Sequence, residues 1–225
     1  MKSFYFLIVT IFMVTISFGQ TEVFINEIHY DNDGTDAGEG IEIAGPSGTD
    51  LTGWSIELYN GLNSMVYTTM SLTGVIPNQE NNRGTLWFPQ AGMQNGNPDG
   101  LALINPLGIV EQFLSYEGSF TAINGAASGM TSTDIGVEES DSTPVGYSLQ
   151  LAGSGVYYED FIWVVPDVHT NGGINTRQSF STDPFIFLDT NSVTDLNYMF
   201  DHGSSRVGNF TVFGTYLSGD ITLTA

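Results

Sequence analysis

A group of four carboxylates follows the apolar run from Val23 to Tyr30 and is the first set of residues whose types could bind a metal ion or take part in catalysis. Asp31, Asp33, Asp36 and Glu39 fall within nine residues. Carboxylate oxygens at flexible spacings are ligands that Ca²⁺ accepts, although position 36 holds Asp where an EF-hand loop requires Gly. Without a cation the four negative charges repel one another. We therefore expect a solvated, splayed turn in which only Glu39 is held by its adjoining strand, with a calcium site at these four residues as the alternative.

Three histidines and one serine are further candidates for catalysis. His29, His169 and His202 do not occur in the H-E-x-x-H pattern or in another metal-ligand spacing. Ser148 lies in Gly-Tyr-Ser-Leu-Gln, which misses the G-x-S-x-G nucleophile elbow because Gln150 occupies the last glycine position. The sequence therefore predicts neither a nucleophile nor a metal triad here, and we expect the histidines to be polar surface residues.

Two glutamates and three aromatic residues complete the candidates. Glu27 and Glu42 have the residue type of an acid/base pair for glycoside cleavage, but on adjacent strands cross-strand hydrogen bonding or solvent exposure is the expected role. Trp87, Tyr157 and Tyr158 would form a sugar-stacking platform if they shared one exposed face. Aromatic residues of a β-sandwich are more often core residues, so the platform is an alternative.

The chain is strongly acidic and contains no cysteine. Of 225 residues, 25 are acidic and only 4 are Lys or Arg, so the formal net charge is -21. Binding to a phosphate backbone requires Lys and Arg, so we expect no direct nucleic-acid binding. The absence of cysteine excludes disulfides, Cys-ligated zinc and a thiol nucleophile. A hydrophobic content of 41% is sufficient for a packed domain.

The N-terminal segment, residues 1–19, has the pattern of a secretory signal peptide. Lys2 precedes the apolar stretch from Phe4 to Phe18, and small residues stand three and one positions before Gln20. The apolar stretch is short for a membrane span of about 20 residues. We therefore expect a mature chain that begins at Gln20, lacks a transmembrane span, and is secreted or displayed at the cell surface.

Short apolar runs separated by Gly, Pro and Asn predict an all-β fold, a sandwich or barrel. The predicted strands share this pattern: Val23 to Tyr30, Ile41 to Ala44, Trp54 to Tyr59, Met65 to Leu72, Leu86 to Phe88, Leu101 to Ile104, Ile109 to Leu114, Ser148 to Leu151 and Phe161 to Val165. Residues 105–108, Asn-Pro-Leu-Gly, predict a type I turn with Pro106 at its second position and Gly108 at its fourth.

Alternation and composition distinguish core from surface. Trp54, Ile56 and Leu58 point one way and are expected to form the core face, whereas Ser55, Glu57 and Tyr59 point the other way. Residues 115–147 are rich in Gly, Ser, Thr and acids and predict a long surface excursion. We expect a domain over residues 20–182.

The C-terminal tail, residues 183–225, differs from what precedes it and begins after a boundary near Thr182. About 43 residues are few for an independent core. We therefore expect a β segment that is either the truncated opening of a second β-domain or an appendage docked on the first, with truncation preferred.

Five motifs follow one another in the first domain: Asn26-Glu27-Ile28, Glu39 with Ile41-Glu42-Ile43, Leu51-x-Gly53-Trp54, Asp99-Gly100-Leu101-Ala102-Leu103 and Phe161-x-Trp163. In their types and order they resemble the lamin-tail family, an immunoglobulin-like β-sandwich that occurs in nuclear lamins and in secreted bacterial proteins. The resemblance covers residues 23 to about 180. It departs at Gly40, where the family usually carries an aromatic residue, so another side chain is expected to fill that space.

The resemblance implies a non-catalytic interaction or adhesion module in a larger secreted or surface protein of bacterial type. Its partner would be a protein or glycan at the cell surface. We therefore expect no enzyme activity in this chain and no resident cofactor, with Ca²⁺ as the alternative stated above. The rival hypotheses are a secreted hydrolase, such as a nuclease, phosphatase or glycosidase, and a carbohydrate-binding module.

Overall fold

The computed structural model of the chain describes residues 20–183, 185–188 and 212–215. The expected signal peptide lies outside the described residues, and so does most of the tail beyond Thr182. No helix among the described residues is long and apolar enough to cross a membrane.

One sheet contains the N-terminal strands and the last strands of the first domain. Its strands run in the spatial order β10-β9-β1-β2-β5, and β11 pairs with the end of β9. Their bounds are β1 (Phe24–His29), β2 (Gly40–Pro46), β5 (Arg83–Pro89), β9 (Tyr147–Ser154), β10 (Phe161–Val168) and β11 (Gln178–Ser179). All of these pairs are antiparallel except β11 with β9.

A second sheet contains the strands between these groups. Its spatial order is β4-β3-β6-β7-β8. Their bounds are β3 (Ser55–Asn60), β4 (Met65–Ser71), β6 (Asp99–Ile104), β7 (Val110–Tyr116) and β8 (Thr133–Asp134). A separate antiparallel pair joins β12 (Phe185–Leu188) to β13 (Val212–Thr215). A 3-10 turn at Tyr158–Asp160 leads into β10.

The nine predicted strands are all present, with ends that differ by a few residues. The largest differences are in β5 and β9, which extend beyond the apolar runs that predicted them. The predicted turn is confirmed, since the amide of Gly108 donates to the carbonyl of Asn105 at 2.9 Å and joins β6 to β7. Turn residues and period-two alternation therefore located these nine strands, whereas the two-residue strands β8 and β11 were not predicted.

The main core lies between the two sheets. It joins Ile28 and Ile41 of the first sheet to Ile56, Leu58 and Leu101 of the second, all of them fully or almost fully buried. Two sheets that share one apolar core are packed face to face, as the predicted β-sandwich requires. Trp54, which was expected to face the core, packs against this cluster and is half-buried.

The opposite face of the second sheet is covered as well, whereas the alternation predicted one core face. Tyr59 is fully buried there and packs with Phe113, Phe120 and Ala127 in a second apolar cluster. The hydroxyl of Tyr59 donates to Glu57 Oε2 at 2.6 Å and accepts the amide of Ala127 at 3.1 Å. Because aromatic residues lie on both faces of this sheet, their burial requires a second covering layer.

The segment 115–147 supplies that layer, so its description as a surface excursion is only partly correct. Phe120 and Ala122 are buried under the sheet, and Glu139 is buried at the opposite end of the segment. Many of the remaining positions are exposed, as predicted. Because the segment is rich in Gly, Ser and Thr, its composition did not indicate the few buried residues that hold it against the sandwich.

The predicted boundary near Thr182 and the second β-domain concern residues that are mostly outside the described ranges. Of the described part, the hydroxyl of Thr215 in β13 donates to the carbonyl of Ser154 at the end of β9, at 2.6 Å. This bond connects the β12–β13 pair to the first sheet.

Candidate functional site

Asn32 organises the acid-rich loop, although it is not one of the four carboxylates that the sequence singles out. Asn32 is buried, and its Nδ2 donates to the carbonyls of Asp33 and Thr35 at 3.0 and 3.2 Å. Its Oδ1 accepts the amide of Ala37 at 2.9 Å. One side chain therefore satisfies three backbone groups of an otherwise irregular loop, as Asn does in turns.

The four carboxylates of this loop have different surroundings. Asp31 is buried near Asp36, whereas Asp33 is exposed. Burial raises the pKa of Asp31, and the negative charges of Asp36 and Asp141 raise it further. The expected splayed turn is therefore wrong for Asp31 and correct for Asp33.

Glu39 is held at the base of the loop, as expected. Its backbone carbonyl accepts the amide of Gln90 at 2.9 Å, and its Oε2 accepts the amide of Gly92 at 2.7 Å. Its Oε1 is buried without a hydrogen-bond partner among the described residues. Within those residues, no group of three or more acidic or histidine side chains is arranged to hold a metal ion. Calcium binding by the loop therefore stays a prediction without structural support.

A buried ion pair closes the loop against the segment 115–147. His29 Nδ1 lies 2.9 Å from Glu139 Oε1, and their side chains are 5% and 0% exposed. The other oxygen of Glu139 accepts the amides of Tyr30 and Asp31 at 2.6 and 3.0 Å. We call this group, His29 with Glu139 and the two amides, the carboxylate clamp. It corrects the expectation that His29 is a surface residue.

The partners of His29 determine its charge. Its Nε2 lies 3.1 Å from the carbonyl oxygen of Ala37, which can only accept a hydrogen bond. Nδ1 faces a carboxylate, so both ring nitrogens carry protons when both bonds form. Desolvation lowers the pKa of His29, but the hydrogen bond and the charge of Glu139 outweigh it and leave the pKa raised. At pH values below this raised pKa, His29 is therefore an imidazolium whose two ring protons are both hydrogen-bonded.

Tyr30 extends the clamp into the core. Its ring stacks on Tyr116 with centroids 3.8 Å apart. Its hydroxyl donates to Glu117 Oε1 at 3.0 Å and accepts the amide of Glu139 at 2.8 Å. The end of β1 is thereby connected to both ends of the segment 115–147.

An open polar cavity of about 420 Å³ lies beside the clamp. Acids and small polar residues line it: Asp31, Asn95, Glu117, Glu138, Glu139, Ser140, Asp141 and Ser142. Burial raises the pKa of Glu117, and the charges of Glu138 and Asp31 add to the effect. Five of the eight lining residues are acidic, so the cavity attracts cationic groups and repels anions.

Glu27 and Glu42 form a second buried network. Both are fully buried on paired positions of β1 and β2. Glu27 accepts the hydroxyls of Ser148 and Thr170, at 2.5 and 2.7 Å, together with the amides of Thr170 and Asn171. These bonds confirm hydrogen bonding, rather than solvent exposure, as the role of Glu27.

Glu42 completes the network. It accepts Asn26 Nδ2 at 2.8 Å and the amide of Gly172 at 2.5 Å. Burial, and then the neighbouring charge of Glu27, raises its pKa to about 8. Asn175 Nδ2 donates to the carbonyls of Asn26 and Leu151. The two glutamates therefore hold the loop 170–175 against the first sheet.

The histidine expected to lie in a late loop is at the surface. His169 is exposed, and its amide donates to the carbonyl of Gly146 at 2.9 Å. A smaller cavity of about 260 Å³ lies between His169 and His29. Both ring nitrogens of His29 are hydrogen-bonded, one to Glu139 and the other to the carbonyl of Ala37, so His29 does not offer a free base to this cavity.

The three aromatic candidates have different partners. Trp87 covers Gly40, since a Cβ there would lie 2.5 Å from Trp87 Cζ2. The ring of Tyr157 lies 5.8 Å from the guanidinium carbon of Arg83. The ring of Tyr158 packs against Phe24, and its hydroxyl accepts Trp163 Nε1 at 3.1 Å. Trp87 therefore fills the space that Gly40 leaves, and all three aromatics are half-buried.

Comparison with family models, with curated proteins and with solved structures finds no match for this chain. The class that the structure defines is an all-β protein of two packed sheets with an acidic cavity at one end.

Proposed function

We propose that this chain is a non-catalytic interaction or adhesion module of a secreted or cell-surface protein, with a lamin-tail-like, immunoglobulin-like sandwich. The motifs behind this resemblance coincide with regular elements. Asn26-Glu27-Ile28 is in β1 and Ile41-Glu42-Ile43 is in β2. In the Leu51-x-Gly53-Trp54 motif, the amide of Trp54 donates to the carbonyl of Leu51 at 3.0 Å across Gly53, whose φ is +88°.

The observation that carries the proposal is how the buried titratable side chains use their hydrogen bonds. Glu27, Glu42 and Glu139 each bind backbone amides of loops distant in sequence. His29 has both nitrogens engaged. A general base needs a free lone pair within reach of a substrate, and a nucleophile needs such a base beside it. These groups instead stabilise the loops at the ends of the strands.

The surface supports binding of a partner by charge. The acidic cavity is open to solvent and lies on an acidic chain, so a partner that presents Lys or Arg is favoured over an acidic one. Among the rival functions, a sugar platform is disfavoured because Trp87 packs on Gly40 and Tyr158 packs on Phe24.

A screen of the full chain for nuclease, phosphatase and glycosidase activity tests the proposal. We expect no turnover above a blank. Asp31→Asn and Asp141→Asn change cavity carboxylates, and Glu111→Gln is the matched control because Glu111 lies on an exposed part of β7. Turnover that Asp31→Asn or Asp141→Asn abolishes and Glu111→Gln retains would make the chain a hydrolase and overturn the proposal.

A further inference from the structure

We propose that the outer edge of β4 binds an extended, basic segment of a partner protein as an added β-strand. The inference specifies the docking surface of the module, and it rests on the proposed function. Strand addition supplies affinity through main-chain hydrogen bonds and specificity through alternate side chains.

The edge strands of the two sheets differ in how they are protected. Beside β5, Gln79 Oε1 accepts the amide of Thr85 at 2.9 Å, and the amide of Gln79 donates to the carbonyl of Arg83. In β10, Pro166 lies within a register shift of the pairing with β9. The edge strand β8 has only two residues. Covering segments, prolines, bulges and short length all prevent pairing with another chain.

β4 has less protection over its second half. It has seven residues, Met-Val-Tyr-Thr-Thr-Met-Ser, without charge or proline, and within the described residues it pairs with β3 alone. At its start, a register shift occurs in the pairing with β3 and the amide of Val66 is bonded to Asn124 Oδ1 at 2.8 Å. From Thr68 to Ser71 the pairing is regular. These four residues form the open part of the edge.

Exposed apolar side chains lie beside the start of β4, before the open part of its edge. Leu62 is 90% exposed in the turn before β4, and Met65, Ile123 and Met130 are also exposed. The amide of Ile123 donates to the carbonyl of Ser64 at 2.9 Å, and the amide of Ala122 donates to the carbonyl of Met130 at 3.0 Å. We call these four side chains the tip patch. An added strand that continues beyond Thr68 toward the start of β4 would bury apolar side chains against the tip patch.

The charge of the chain selects the occupant. A second copy would bring a formal charge of -21 against an equal charge, and like-charge juxtaposition opposes association. A segment with Lys or Arg between apolar residues gains attraction from the same field. The occupant is therefore an extended basic segment of a different protein.

Selection from a displayed library of short random peptides on the full chain tests the inference. We expect enriched peptides to alternate apolar residues with Lys or Arg, and to perturb the backbone amide NMR signals of Thr68–Ser71. Methylation of alternate peptide nitrogens should abolish binding, because an added strand needs those donors.

Thr69→Lys is the test variant because Thr69 is exposed and faces Glu57 across the β3–β4 ladder. It should weaken the selected peptides by about tenfold or more, since a lysine on an edge opposes pairing. Val165→Lys adds the same charge at an exposed position of β10 and should leave affinity nearly unchanged.

Three results would overturn strand addition at β4. The first is that selection on the wild-type chain enriches no peptides relative to selection on Thr69→Lys. The second is that the selected peptides perturb the NMR signals of residues other than Thr68–Ser71, and the third is that the chain associates with itself through β4. None of them produces turnover in the hydrolase screen, so failure of this inference is distinguishable from failure of the proposed function.

Discussion

Replacing Glu139 with glutamine should weaken the fold in a pH-dependent way. The variant retains one oxygen for the amides of Tyr30 and Asp31 but places an NH₂ group against His29. A hydrogen bond to a charged group contributes about 1.5–3 kcal/mol, and breaking a buried ion pair costs about 3–5 kcal/mol. Because His29 can become neutral and accept from the new amide, we expect a loss of about 2–3 kcal/mol at acidic pH.

The sign of the pH dependence follows from the raised pKa of His29. That histidine contributes stability that is fully present below the ordinary pKa of 6.5 and is lost as pH rises through the raised pKa. The difference in free energy of unfolding between wild type and Glu139→Gln should therefore be widest below pH 6.5. It should narrow as the pH rises through the raised pKa of His29 and the ring loses its proton in the wild type as well.

Thermal melts of the full chain at several pH values measure this gap. A loss of about 2–3 kcal/mol corresponds to a melting temperature lower by roughly 5–10 °C for a domain of this size. Glu138→Gln is the matched control, because Glu138 is the adjacent acid and is exposed, so its change should be within about 0.5 kcal/mol. A Glu139→Gln melt equal to that of the control, or a gap that does not change with pH, would refute the clamp.

Further changes test the other networks. Glu42 has a pKa of about 8 in the folded chain, whereas the ordinary value for glutamate is 4.5. Between these values the folded state holds a proton that the unfolded state releases, so stability should fall from pH 4.5 to pH 8. Chemical denaturation of Glu42→Gln across that pH range should show a smaller decline in the free energy of unfolding than wild type shows. The two declines should differ by an amount on the order of a few kcal/mol. Asn32→Ala should cost about 1–3 kcal/mol and accelerate hydrogen exchange over residues 33–38, whereas Asp33→Ala, at an exposed site, should do neither. Chemical denaturation should show that Gly40→Ala lowers the free energy of unfolding by about 1–3 kcal/mol. The new Cβ would lie 2.5 Å from the indole of Trp87 and 2.6 Å from the carbonyl oxygen of Phe88. Millimolar calcium should not change the melting temperature relative to chelator; an increase of roughly 5–10 °C that Asp33→Asn and Asp36→Asn both remove would establish the metal site.

The strands were predictable because their signals are local. Ile56 and Leu58 alternate with polar residues, and the Pro106–Gly108 turn has its own sequence signature. Each of these patterns spans a few neighbouring residues. The second apolar cluster was missed because Tyr59 shares its face with polar residues, and its covering residues come from a segment whose composition indicates a loop.

The buried networks were not predictable because their partners are distant in sequence. His29 and Glu139 are separated by 110 positions, and Glu27 and Thr170 by 143. A carboxylate that binds a distant amide has the same sequence appearance as one in water. Glu42 was singled out as a candidate acid, but its burial depends on how the loop 170–175 folds over it.

Measuring the protonation state of His29 is the most direct test of the structural role of the carboxylate clamp. If the buried titratable groups hold loops in place, ¹⁵N NMR of the His29 imidazole in the full chain should detect two protonated nitrogens near pH 6, below the ordinary pKa of 6.5. Their protons should exchange slowly with water, and Glu139→Gln should convert the ring to a neutral form. A His29 ring that is neutral near pH 6, or whose protons exchange as fast as those of exposed His169, would contradict the account.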